Sequence, residues 1–132
     1  PASVPPAGTK VEWKKSDLLR DQTEAAVLLT ANLPYLTPEE IASAEPEVRH
    51  DPILALDGGS DGLDLFRRLL PQATLICPTL LCECSPHQTA NLSALAQQFG
   101  YPHTRIHSDL TSRPRFVEAR RDPDPCLDPH FA

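Results

Sequence analysis

The stretch Ala25-Ala26-Val27-Leu28-Leu29-Thr30-Ala31-Asn32-Leu33-Pro34-Tyr35 decides the fold. A charge, Glu24, stands before it. Seven residues then pass without a charge, until an amide, a proline and an aromatic ring close the run. A short apolar run with Val and Thr, bounded by polar punctuation, is how a strand buried on both faces of a parallel sheet reads. In open α/β sheets ligands sit beyond the carboxyl ends of the parallel strands. The segment Asn32–Tyr35 stands at such an end.

Moving toward the N-terminus, Lys10–Lys15 (KVEWKK) alternates apolar and polar residues and predicts a short strand. Residues 1–10 read as a flexible, proline-rich lead. Moving the other way, residues 36–58 read as a loop region in which Thr37 caps a short helix with Pro38 in its first turn. Asp51-Pro52 and Asp57-Gly58-Gly59 are turn signals. Leu63, Phe66, Leu69 and Leu70 fall on one helical face, and Pro71 is expected to end that helix. A strand is predicted at Thr79–Cys84 and a helix at Ala90–Phe99, stopped by Gly100. His103–Ser108 and Arg115–Arg120 form a closing hairpin. Residues 121–132, with three Asp-Pro steps, read as a disordered tail. Strands alternating with helices predict an α/β sheet, here with an antiparallel hairpin at its C-terminal end.

Composition narrows the function. The formal net charge of -6 argues against broad binding to phosphate backbones, so no direct nucleic-acid partner is expected. No apolar stretch is long enough for a bilayer and no signal-peptide pattern is visible, which makes a cytoplasmic home with reduced cysteines the default. The 15 prolines gather at the two ends and between apolar runs, where they punctuate rather than interrupt elements.

Asn32-Leu33-Pro34-Tyr35 carries recognisable chemistry. The Asn32 side-chain oxygen and the Leu33 backbone carbonyl can accept the two N–H bonds of one planar amino group. Pro34 stiffens the backbone, and Tyr35 can stack on the group. An amide nitrogen is a poor nucleophile because its lone pair is delocalised. Holding both hydrogens orients it and stabilises the positive charge that grows on it. Glu83, at a strand end, is a further candidate for the site, against a simple ion pair. Asp17 can cap the short Leu18-Leu19 piece. Cys77, Cys82 and Cys84 read as buried thiols, because no C-x2-C pair exists to hold a metal. Asp57–Gly62 reads as a structural loop that positions the following helix, and Arg67-Arg68 and Arg120-Arg121 as solvated element ends.

Beyond these residues the chain resembles a family. Asn-x-Pro-Tyr at a strand end is the motif of class I methyltransferases acting on planar amino groups. The run ANLPYLTPEEIASAEPEVRHDPILALDGGSDGLDLFRRLL is similar to the release-factor glutamine N5-methyltransferases, the PrmC/HemK family. LLCECSPHQ and DLTSRPRFVEAR are similar to later segments of that family. The resemblance covers about residues 11–120 and identifies them as the C-terminal part of a catalytic domain. It implies a partial Rossmann-like sheet and S-adenosylmethionine as methyl donor. The substrate it implies is the glutamine of the Gly-Gly-Gln loop in a peptide-chain release factor. It places Asn32, Leu33, Pro34 and Tyr35 around the acceptor, and Asp17 and Asn32 toward the donor. Leu33 stands where the family usually has proline. Asn-Leu-Pro-Tyr also occurs in rRNA adenine dimethyltransferases, so an rRNA adenine N6-methyltransferase is the alternative enzyme. Nothing upstream of Val11 reads as the glycine-rich donor loop. The first strands and most of the donor site are therefore expected to be missing, and the chain is expected to be inactive alone. A donor-less, non-catalytic remnant is the third reading. No membrane partner is expected.

Overall fold

The computed structural model of the chain describes residues 6–49, 52 and 56–123. His50, part of the Asp51-Pro52 turn, the first half of the lead and most of the tail lie outside the described residues. The elements run in the order β1 (Leu29–Ala31), α1 (Pro38–Ser43), α2 (Pro46–Arg49), α3 (Asp64–Ala73), β2 (Thr79–Glu83), a 3-10 turn (Pro86–Gln88), α4 (Thr89–Gln98), β3 (His103–Ser108) and β4 (Pro114–Arg120).

The four strands form one sheet in the order β1-β2-β4-β3. β1 and β2 are parallel, with Leu29 opposite Leu80 and Ala31 opposite Cys82. β4 pairs antiparallel with both β2 and β3. The expected hairpin therefore closes the sheet, but its second strand lies inside and its first at the rim. Leu80 and Cys82 of β2 stand opposite Ala119 and Val117 of β4, and all four are buried. They join Leu63, Phe66, Leu69, Leu70 and Ala73 of the α3 segment and Leu92 and Ala96 of α4 in one core. The stripe predicted on α3 is thus the face buried in that core. Phe66 is wholly buried, worth about 1.5–3 kcal/mol by its apolar area. The buried Tyr101 donates its hydroxyl proton to the Cys77 carbonyl at 2.8 Å, which satisfies the phenol. Among the described residues no helix is long and apolar enough to cross a membrane.

Three expectations are corrected. Lys10–Lys15 forms no strand; Val11 and Trp13 are exposed, and an alternating pattern without a neighbour to pair with has nothing to hold it extended. The run 25–31 is not buried on both faces. Its strand is confined to Leu29–Ala31 at the sheet rim, and Val27 is 87% exposed. Pro71 does not end α3. The helix runs on to Ala73 because Leu69, Leu70 and Ala73 anchor the last turn in the core, while Pro71 itself faces outward. There the missing N–H leaves one helical hydrogen bond unmade on the exposed side.

Thr37 caps α1 as expected. Its hydroxyl accepts from the Glu40 N–H at 3.2 Å, and Glu40 accepts from the Thr37 N–H at 2.8 Å. The paired arginines are not simply solvated. Arg67 bridges Asp61 and Asp64, Arg68 pairs with Asp17, Arg120 pairs with Glu118, and Arg121 donates to the Thr74 and Cys77 carbonyls.

Candidate functional site

The parallel register decides what meets at the carboxyl end of the sheet. Ala31 lies opposite Cys82, so the next residues on each strand, Asn32 and Glu83, leave the sheet side by side. Antiparallel pairing sets Phe116 opposite Glu83, which brings Arg115 to the same rim. The Cys84 N–H donates to the Arg115 carbonyl at 3.0 Å and ties that rim together.

The tetrapeptide is gripped from behind. Leu36 donates to the Leu56 carbonyl at 3.0 Å, and Gly58 donates to the Leu36 carbonyl at 2.8 Å. A side chain at Gly58 would come within 2.6 Å of the Tyr35 Cα and 2.7 Å of the Pro34 carbonyl oxygen, so only glycine fits. Gly62 has φ +79° and meets the same backbone from the other side; a Cβ there would lie 2.2 Å from the Tyr35 carbonyl oxygen. The buried Gln88 completes the grip. Its Nε2 donates to the carbonyls of Tyr35 at 2.8 Å and Asp61 at 3.1 Å, while its Oε1 accepts from the Ser85 N–H at 3.0 Å. The Asp57–Gly62 loop is structural as expected, and it holds the tetrapeptide as well as leading into α3. Asp61 accepts from the Leu63 N–H and from Arg67, and the Arg67 hydrogen bond holds its carboxyl down at about 2.

On the outer side the tetrapeptide is open. Asn32, Leu33, Pro34, Tyr35, Leu36, Leu56 and Glu83 line a cavity of about 370 Å³, within the range of small-ligand sites. Asn32 is exposed. Neither its side-chain amide nor the Leu33 carbonyl makes a hydrogen bond to another described residue. Both residues line the cavity, and neither acceptor has a hydrogen-bond partner among the described residues.

Glu83 is both cavity wall and ion-pair partner. Arg115 Nη2 donates to Glu83 Oε1 at 3.3 Å and to the Tyr35 hydroxyl at 3.0 Å, and the Tyr35 hydroxyl stands 3.5 Å from Glu83 Oε1. Burial disfavours the Arg115 cation, yet Tyr35 and Glu83 outweigh it and raise its pKa. Asp17 is neither a side-chain cap nor buried. It is exposed, and both carboxylate oxygens accept from Arg68 Nη2, at 2.7 and 2.6 Å. Its neighbours Ser16 and Leu18 line a second hollow, together with Trp13, Leu19, Leu29 and Thr30. Cys77, Cys82 and Cys84 are free and buried, and burial pushes Cys82 and Cys84 up to about 12 and 11.

Sequence reasoning missed Arg115, Gln88 and the grip of Gly58 and Gly62. Arg115 lay inside the quoted DLTSRPRFVEAR segment, and Gln88 ended LLCECSPHQ, but neither had a local signal for its contact.

No protein-family model matches the chain. Among curated proteins, the release factor glutamine methyltransferase of Deinococcus radiodurans is 40% identical over 118 residues, covering 87% of this chain and 42% of that protein. The proteins of the same name from Synechocystis and Streptomyces coelicolor are 37% and 34% identical, over 82% and 86% of this chain. The chain spans about two fifths of the length of these relatives: 42%, 37% and 43%. Among solved structures, the fold matches a chain of the E. cuniculi Mtq2–Trm112 complex, responsible for methylation of the translation termination factor eRF1. The TM-score is 0.57 at 19% identity, over 83% of this chain and 60% of that one.

Proposed function

We propose, from the premise that this chain belongs with the release factor glutamine methyltransferases and matches a C-terminal portion of them, that it supplies the acceptor pocket of a protein methyltransferase. The substrate is the side-chain amide of the glutamine in a release factor's Gly-Gly-Gln loop. One observation carries this reading: two acceptors, Asn32 Oδ1 and the Leu33 carbonyl, stand unpartnered among the described residues on a backbone that Gly58, Gly62 and Gln88 immobilise.

The geometry does the work an amide nitrogen needs. With one N–H donated to Asn32 and the other to Leu33, the nitrogen presents its remaining lobe in one direction. As the N–CH3 bond forms, positive charge grows on the nitrogen and both acceptors stabilise it. The methyl–sulfur bond of a sulfonium donor would break as the N–CH3 bond forms, leaving a neutral thioether; one N–H proton then passes to solvent, and the product is a methylated amide. Leu33 keeps the backbone carbonyl that this contact uses, although it lacks the rigid ring of proline.

The donor implied by the family is S-adenosylmethionine, which supplies an electrophilic methyl group when bound. The residues present fit one end of it. Asp17 keeps lone pairs beyond those taken by Arg68 and can accept from an adenine amino group. The hollow flanking it has apolar walls in Trp13, Leu18, Leu19 and Leu29. The test is Asn32→Ala in a full-length enzyme that carries this segment, supplied with donor and release factor. Methyl transfer is expected to fall below detection while donor affinity by calorimetry stays unchanged. Retained transfer would remove Asn32 from the assigned role.

A further inference from the structure

We propose that Arg115 is a positioning residue that sets the orientation of the Tyr35 ring and weakens Glu83 as a rival acceptor for the substrate amide; this rests on the acceptor-pocket reading above.

The grip of Gly58, Gly62 and Gln88 fixes the Tyr35 backbone, and the half-buried ring packs against the edge of the core. The far end of the ring is held by the hydroxyl, which accepts from Arg115 Nη2 at 3.0 Å. The Arg115 guanidinium carbon lies 5.8 Å from the ring centroid, within reach of a cation–π contact. Arg115 is itself carried by the sheet, since its carbonyl accepts from Cys84. The link spans 80 residues of sequence and joins the final hairpin to the acceptor turn.

The same nitrogen meets Glu83, and both side chains are only about a quarter exposed, at 27% and 28%. A carboxylate is the strongest acceptor that lines the cavity. Arg115 holds Glu83 by Oε1 and offsets its charge, which weakens the carboxylate as a rival acceptor for the amide while leaving its other lone pairs open. Arg115 therefore acts through two neighbours and need not touch the substrate.

The test uses Arg115→Met, which keeps the aliphatic stem but removes the guanidinium, and Arg115→Ala with and without added guanidinium ion. Kinetics with the release factor are read beside carbon-13 signals of labelled tyrosine. The Tyr35 signal is identified by its loss in Tyr35→Phe, and Tyr101 reports on the core. Both variants are expected to lose kcat by on the order of ten- to a hundredfold with KM little changed, the size of a misplaced reacting group. The Tyr35 signal moves, Tyr101 does not, and guanidinium restores part of the Arg115→Ala loss. Wild-type kcat or an unmoved Tyr35 signal in Arg115→Met overturns the proposal, as does a loss that guanidinium leaves unrepaired while Tyr101 shifts. These kinetics use a full-length enzyme that carries this segment; if its unsubstituted form methylates no release factor, the functional reading fails. The Tyr35 signal then still decides whether Arg115 holds the ring.

Discussion

Replacing Gly62 with alanine separates the grip on the tetrapeptide from ordinary backbone strain. Gly62 has φ +79°, where an alanine costs about 1–2 kcal/mol. The added Cβ would also fall 2.0 Å from Gln88 Nε2 and 2.2 Å from the Tyr35 carbonyl oxygen. Gln88 must then withdraw and give up its bonds to Tyr35 and Asp61. An amide left unsatisfied in a buried position adds about 1–3 kcal/mol. The sum is about 2–5 kcal/mol, a large share of the ~5–15 kcal/mol that holds a domain together. Gly100 is the internal control. Its φ is +96°, but a Cβ there meets only the Thr74 methyl at 3.5 Å, so Gly100→Ala costs the backbone part alone, about 1–2 kcal/mol. Urea unfolding followed by circular dichroism measures both. A Gly62→Ala variant no less stable than Gly100→Ala would refute the grip.

Three further outcomes follow from the described geometry. At pH 8 an alkylating reagent should leave Cys82 and Cys84 unlabelled in the folded protein, because their thiols titrate near 12 and 11; peptide mass mapping before and after denaturation checks it, and rapid native labelling would contradict their burial. Glu118 is held below the usual carboxylate range by its Arg120 hydrogen bond, with burial opposing and His107 assisting. A depressed folded pKa means its stabilisation is present above the ordinary value of 4.5 and lost as pH falls through the folded value. Glu118→Gln should therefore flatten the acid limb of stability against pH, and an unchanged limb would remove Glu118 as a contributor. Asp17→Asn should alter stability by less than about 1 kcal/mol, since the Arg68 pair is exposed. In a full-length enzyme that carries this segment it should also weaken S-adenosylmethionine binding by calorimetry; unchanged affinity would take Asp17 out of the donor site.

Helices were the most legible part of this sequence. The spacing of Leu63, Phe66, Leu69 and Leu70 reports a face within one contiguous segment, and that face is the buried one. The turn at Asn32–Tyr35 was legible for a similar reason, because proline and amide punctuation is local. Strands were less so. The alternation of Lys10–Lys15 expresses a preference that only a neighbouring strand can satisfy, and the apolar run before Asn32 says nothing of which faces are covered. Arg115 and Gln88 were invisible as site residues. Their partner Tyr35 lies 80 and 53 residues away, and chain folding alone brings them together.

The central claim is that the Asn32–Tyr35 turn presents a glutamine side chain for methylation. The most direct measurement incubates a full-length enzyme that carries this segment with S-adenosylmethionine and a release factor, then maps the modified peptide by tandem mass spectrometry. One methyl group on the glutamine of the Gly-Gly-Gln loop, absent with Asn32→Ala, is the predicted result. A methyl group on another residue, or the same yield with Asn32→Ala, would contradict it.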